Sequence, residues 1–150
     1  MSNNKSNNKS NNKSWQSRCD EVGQIAELNI NARLRKYGRI SLPFGEAPYD
    51  VILETKTGGF VKLQTKHGKV NHGTNGAISV TFRTVDTNGD SYNEKDVHAF
   101  SVYSSELNQA WIVPFAWCNK TRQTICVKMN SRSQGLPASD FTFDEQLKHV

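Results

Sequence analysis

The stretch 48–66, PYDVILETKTGGFVKLQTK, constrains the fold more than any other part of the chain. Two runs of strand-forming residues flank a Gly-Gly pair, the pattern of a β-hairpin. Side chains alternate along a strand, so Lys62, Gln64 and Lys66 share one face while Val61 and Leu63 share the other. A turn at Gly58-Gly59 lays the start of the first strand beside the end of the second. Asp50 is thereby placed next to Gln64 and Lys66. A rival Glu-x-Lys, Glu54-Thr55-Lys56, lies on the first strand, with Glu54 on the face of Asp50. Four residues of strand separate Asp50 from Glu54 by about 13 Å, too far to share one small cation through bonds of ~2.1 Å. The candidate site is therefore placed at Gln64 and Lys66.

Residues 17–37 predict an amphipathic helix. Val22, Ile25, Ala26, Ile30, Ala32 and Leu34 form an apolar stripe at helical spacing, widened by Leu28. Ser17 or Asp20 suits its start, Arg35 and Lys36 its last turn, and Gly38 a left-handed stop. Glu27 falls at the edge of the stripe, one turn after Gly23, where a carboxylate can point into a cleft or sit in solvent. Strands are expected at 39–42, 49–54, 60–66, 77–85, 97–103, 110–114 and 124–129. Thr142 and Glu145 have capping-box spacing for a short helix at 142–150. A helix followed by mostly antiparallel strands indicates α+β or mixed α/β. Phe100, Trp111 and Trp117 lie among apolar residues and are expected in the core.

The opening MSNNKSNNKSNNKS has no apolar residue after Met1, so residues 1–14 are expected to be a disordered tail ahead of one domain at 15–150. That polar start offers no secretory signal, and no apolar run approaches the roughly 18 residues of a membrane span. Three cysteines without a C-x-x-C argue against a disulfide framework or a zinc ribbon, and for a reducing, cytoplasmic setting. The four histidines lack metal-finger spacing. The run from Asp86 to Asp90 begins like a calcium loop, but Ser91 and Val97 stand where glycine and glutamate are required, leaving a turn-forming acidic loop.

Net charge is +5, but three of the lysines lie in the tail, so the remainder carries +2. Its distribution says more than its size. Two long segments contain no Asp or Glu. One holds Lys56, Lys62, Lys66, Lys69 and Arg83, the other Lys120, Arg122, Lys128 and Arg132. Such acid-free stretches suit surfaces that track phosphates. Lys62, Lys69, Arg83, Lys120, Arg122, Lys128 and Arg132 are the candidate DNA contacts.

The order Gly-x-x-x-Glu (Gly23, Glu27), Pro-x-Asp (Pro48, Asp50) and x-Lys on the next strand (Gln64, Lys66) resembles the PD-(D/E)XK nuclease superfamily. LPFG at 42–45, the strand containing Arg83, DVHAFSVY at 96–103 and WIVP at 111–114 are similar to its bacterial members. Among these the chain looks most like the cyanobacterial intron-encoded homing endonucleases of this fold. The resemblance implies a restriction-endonuclease-like core, a mixed sheet flanked by the N-terminal helix. It implies catalytic roles for Glu27, Asp50, Gln64 and Lys66, with Glu27 and Asp50 holding Mg²⁺ or Mn²⁺ and Lys66 orienting water and stabilising charge on the phosphorane. Gln64 departs from the family, where Asp or Glu is usual; an amide oxygen still ligates Mg²⁺ but brings no charge. The implied function is cleavage of double-stranded DNA at a long pseudo-palindromic target by a homo-oligomer, dimer or tetramer, away from membranes. A Holliday-junction resolvase and a DNA-binding module without cleavage are the alternatives.

Overall fold

A computed structural model describes residues 6–150, with side chains from residue 20 onward. Helix α1 spans Ser6–Leu34. It is followed by β1 (Gly38–Ser41), β2 (Val51–Thr55), β3 (Phe60–His67), β4 (Lys69–His72), β5 (Ile78–Arg83), β6 (Ala99–Ser104), β7 (Gln109–Pro114), β8 (Arg122–Lys128), β9 (Leu136–Pro137) and α2 (Phe143–Leu147). The expected tail at 1–14 falls outside the residues whose side chains are described, and the first five lie outside altogether. The same holds for a cap at Ser17 and for Cys19. Among the described residues, no helix is long and apolar enough to cross a membrane.

The strands form two sheets, ordered β1-β2-β3-β6-β7 and β4-β5-β8-β9. All pairings are antiparallel except β3 with β6 and β8 with β9. The larger sheet is the middle of three layers. One face meets α1 through Ala26, Ile30, Leu34, Val51, Leu53 and Leu63. The other meets the smaller sheet through Val80, Phe82, Phe100, Val102 and Ile125. β6 is buried at every position because it is covered on both faces.

Three expectations need correction. Ala26, Ile30 and Leu34, spaced four apart, are the row of α1 that meets the sheet, whereas Val22, Ile25 and Leu28 are exposed. Val22 lies a turn beyond the row, and Ile25 and Leu28 lie round the helix from it. Trp111 is buried as expected, but Trp117 is 57 % exposed, with its ring edge-on to Phe141. Gly38 is not a left-handed stop. It opens β1 directly, and a Cβ there would collide with the Glu54 carbonyl oxygen of the neighbouring strand.

β4 was absent from the expected strands. It exists because Gly68 turns the chain from the larger sheet into the smaller one within a single residue. The Gly68 N–H donates to the Tyr103 carbonyl at 2.8 Å, and a Cβ there would collide with Val80 and lie 3.0 Å from Val102 Cγ1. Gly68→Ala is therefore expected to overpack the junction and cost about 1–3 kcal/mol. The urea midpoint should fall with an unchanged slope; an unshifted midpoint would show that the sheets part there freely.

Candidate active site

β2 and β3 pair antiparallel, with Val51 opposite Leu63 and Ile52 opposite Lys62. Continuing this register by one residue sets Asp50 opposite Gln64. The hairpin is closed by the turn at 55–59, where the Thr55 N–H donates to the Gly59 carbonyl at 2.8 Å and the Gly59 N–H to Thr55 Oγ1 at 3.0 Å. Two bonds then fix Asp50. Its N–H donates to the Leu63 carbonyl, and its Oδ2 accepts the Thr65 N–H, both at 2.9 Å. Glu54 lies at the opposite end of the hairpin, paired with Phe60. The structure thus brings Asp50 to Gln64 and Lys66, and leaves Glu54 with the turn.

On β3, Leu63 and Thr65 are buried toward α1, and Thr65 Oγ1 meets Ser101 Oγ at 3.0 Å. Gln64 and Lys66 point the other way, in register with Phe100 and Val102 of β6. Both are half-buried. The Lys66 Nζ donates to the Val85 carbonyl and to Tyr92 Oη, each at 2.9 Å. Neither Val85 nor Tyr92 was a candidate from the sequence. Both come from the ends of the acidic loop after β5, which the sequence identifies only as a turn.

The charges are mutually felt. Burial pushes the Asp50 carboxyl up, and the Thr65 N–H and the Lys66 charge pull it part of the way back. Glu27 is also raised, first by partial burial and then by the charge of Asp50. Glu27 on α1 thus feels the charge of Asp50 on the hairpin. Lys66 is lowered to about 8, chiefly by burial; Asp50 opposes this, Arg83 adds to it, and Asp86 opposes it. Among the described residues, no three His, Cys, Asp or Glu side chains come together as a metal site. The hairpin sets the Asp50 carboxylate opposite the Gln64 carboxamide, and Glu27 on α1 feels the Asp50 charge. Carboxylate and carboxamide oxygens are donors of the kind that suit a hard divalent cation keeping several waters.

Lys69, Arg83 and Arg122 share the outward face of the smaller sheet, since Lys69 pairs with Thr81, two residues before Arg83, and Arg83 pairs with Arg122, while Val80 and Phe82 face the core. Arg83 and Arg122 are both exposed and stand directly opposite each other on β5 and β8. Like charges so placed destabilise a sheet unless an anion joins them. Lys128 and Arg132 line a separate cavity of about 240 Å³ with His72 and Asn130. Lys69 is exposed on β4, opposite Thr81. Lys120 is exposed, and its carbonyl accepts the Thr84 hydroxyl. Lys62 is half-buried and tethered, donating to the Lys95 carbonyl at 3.3 Å with its ammonium 5.6 Å from the Tyr49 ring centroid.

Residues 18–144 match the family model described as PD-(D/E)XK endonuclease. The fold is similar to that of a bacterial homing endonuclease, I-Ssp6803I, with a TM-score of 0.57. That chain is 22 % identical, and the match covers 80 % of this chain and 84 % of that one. No curated protein sequence matches the chain.

The raised carboxyl of Asp50 has a consequence for stability. In the folded state its charged form is the costly one, so stability is lost as pH rises through its folded pKa. At pH 7 in EDTA, Asp50→Asn is expected to raise Tm, because the amide oxygen keeps the Thr65 bond without the buried charge. Mg²⁺ should raise Tm of the native protein and leave that of Asp50→Asn nearly unmoved. A variant that melts lower in EDTA would contradict this account.

Proposed function

Because the chain belongs to the PD-(D/E)XK endonuclease family, we propose that it is a divalent-metal-dependent, site-specific DNA endonuclease of the intron-homing kind. The observation that carries this reading is the placement of Asp50, Gln64 and Lys66 together on one hairpin, with Glu27 of α1 near enough to feel the Asp50 charge. Glu27 and Asp50 would hold Mg²⁺ or Mn²⁺, with the Gln64 carboxamide as an uncharged oxygen. A bound divalent ion lowers the pKa of its water and neutralises charge developing on the phosphate. Asp50 is held for this role by the Thr65 N–H. Lys66 contributes a fixed cation to the attacked phosphodiester, and its half-buried position strengthens that charge relative to one in water. The neutral Gln64 weakens the hold on the metal compared with a carboxylate there.

The opposed pair Arg83 and Arg122 supports a phosphate-gripping role close to the reacting centre, since Arg83 also acts on the Lys66 charge. Each chain offers one candidate site, and one such site cuts one strand. Cutting both strands of a near-palindromic target therefore calls for two copies about a two-fold axis, as a dimer or within a tetramer.

A cleavage assay on duplexes carrying candidate target sequences tests the whole reading. Asp50→Ala and Lys66→Ala are expected to abolish cutting, with DNA affinity in Ca²⁺ nearly intact. Gln64→Glu is expected to keep cutting at a lower metal requirement, and double-strand cuts should come from a complex holding at least two chains by light scattering. Tight binding without nicking by the native protein would identify a DNA-binding module instead. Cutting by Gln64→Ala at the native rate would make Gln64 a bystander.

For the arginine pair, Arg122→Ala is expected to weaken binding of all DNA sequences alike. It should also reduce the slope of log affinity against log salt by about 1, the signature of one lost phosphate contact. A loss confined to one target sequence would instead make Arg122 a base reader.

A further inference from the structure

The loop joining β5 to β6 is braced against itself. Val85 bridges Ser91, the Asp86 N–H donates to the Asp90 carbonyl at 2.9 Å, and the Gly89 N–H donates to the Asp86 carbonyl at 3.1 Å. The Asp86 Oδ1 accepts the N–H groups of Asn88 and Asp90 at 2.8 and 2.9 Å. Tyr92 follows the brace directly. Its ring stands edge-on to Phe100, at 5.7 Å between centroids and 69° between planes, and Phe100 is fully buried. The phenol is therefore fixed from behind by the core and from the side by the loop.

This rigid unit meets the most flexible member of the site. An ammonium has three N–H donors and no acceptor, so the phenol oxygen of Tyr92 accepts from Lys66. With the Val85 carbonyl it occupies two of the three donors. One donor remains for the substrate side. The ammonium lies 4.8 Å from the Tyr92 ring centroid and 2.9 Å from its oxygen, so it meets the phenol at the oxygen rather than on the ring face. A reacting group displaced by about 1 Å loses rate on the order of a hundredfold, and the long lysine stem holds no such position unaided.

We propose that Tyr92 is the positioning residue of Lys66: with the Val85 carbonyl it locks the ammonium beside Asp50, so that the third N–H addresses a phosphodiester oxygen. The proposal rests on the nuclease reading of Lys66. It needs no contact between Tyr92 and DNA, and it assigns the acidic loop the task of holding the phenol in place.

Tyr92→Phe removes the oxygen and keeps the ring against Phe100, so it separates positioning from packing. Single-turnover cleavage by Tyr92→Phe is expected to fall at least about tenfold, the loss expected for one hydrogen bond to a charged group. DNA affinity measured in Ca²⁺ should stay unchanged. In the DNA-free protein, the two Cε protons of Lys66 should have distinct NMR shifts that merge in Tyr92→Phe as the ammonium is released. Cleavage by Tyr92→Phe at the native rate would overturn the proposal, as would Lys66 signals unaltered by the substitution. Should the native protein cut no DNA in the same assay, the nuclease reading fails by itself. The NMR comparison then still decides whether Tyr92 holds Lys66.

Discussion

Everything in the site depends on β3 having two different faces and two different neighbours. It pairs antiparallel with β2 and parallel with β6. Leu63 and Thr65 are committed to the layer under α1, which fixes the register, because a slip of one residue would drive Gln64 and Lys66 into that core. The antiparallel partner delivers Asp50. The parallel partner lays Phe100 and Val102 alongside Gln64 and Lys66, making the floor on which the polar pair stands. Packing of the apolar face thus sets the position of the candidate site residues on the other.

The polar side is held at an electrostatic cost. Burial raises Asp50, burial and then the Asp50 charge raise Glu27, and burial lowers the affinity of Lys66 for its proton. Each of these shifts disfavours the charged form that phosphodiester chemistry uses, so the site is strained while it is without a cation and a phosphate. A carboxylate at position 64 would have added a third negative charge to this crowd. The carboxamide present there lowers that repulsion.

Much of this was legible in the sequence because it is local. The Gly-Gly turn and a period of two are enough to place Asp50, Gln64 and Lys66 together and to leave Glu54 at the far end. The edge of the helical stripe leaves Glu27 between a cleft and solvent, and only the family resemblance gives it a role. Periodicity alone does not say how wide a strip of a helix its neighbour covers, which is why the apolar stripe includes Val22, Ile25 and Leu28 although they are exposed. β4 is only four residues long and depends on a corner at Gly68, for which no local pattern exists. Tyr92 reaches Lys66 across 26 residues of sequence through a loop whose residues signal only a turn. The parallel pairing of β3 with β6, separated by two strands of another sheet, is likewise invisible to any window of neighbouring residues.

The partner that Val85 offers to Lys66 is a main-chain carbonyl, while its side chain is buried in the packing beneath. Substitution cannot delete that oxygen; every amino acid carries it. The two anchors of the ammonium therefore differ in heritability: one is written in a single codon, the other in the path of the backbone. Drift at position 92 can strip the lysine of one support in a single step. The other survives as long as the strand before it keeps its course, and chains whose sequences have lost every letter of this loop can still supply it.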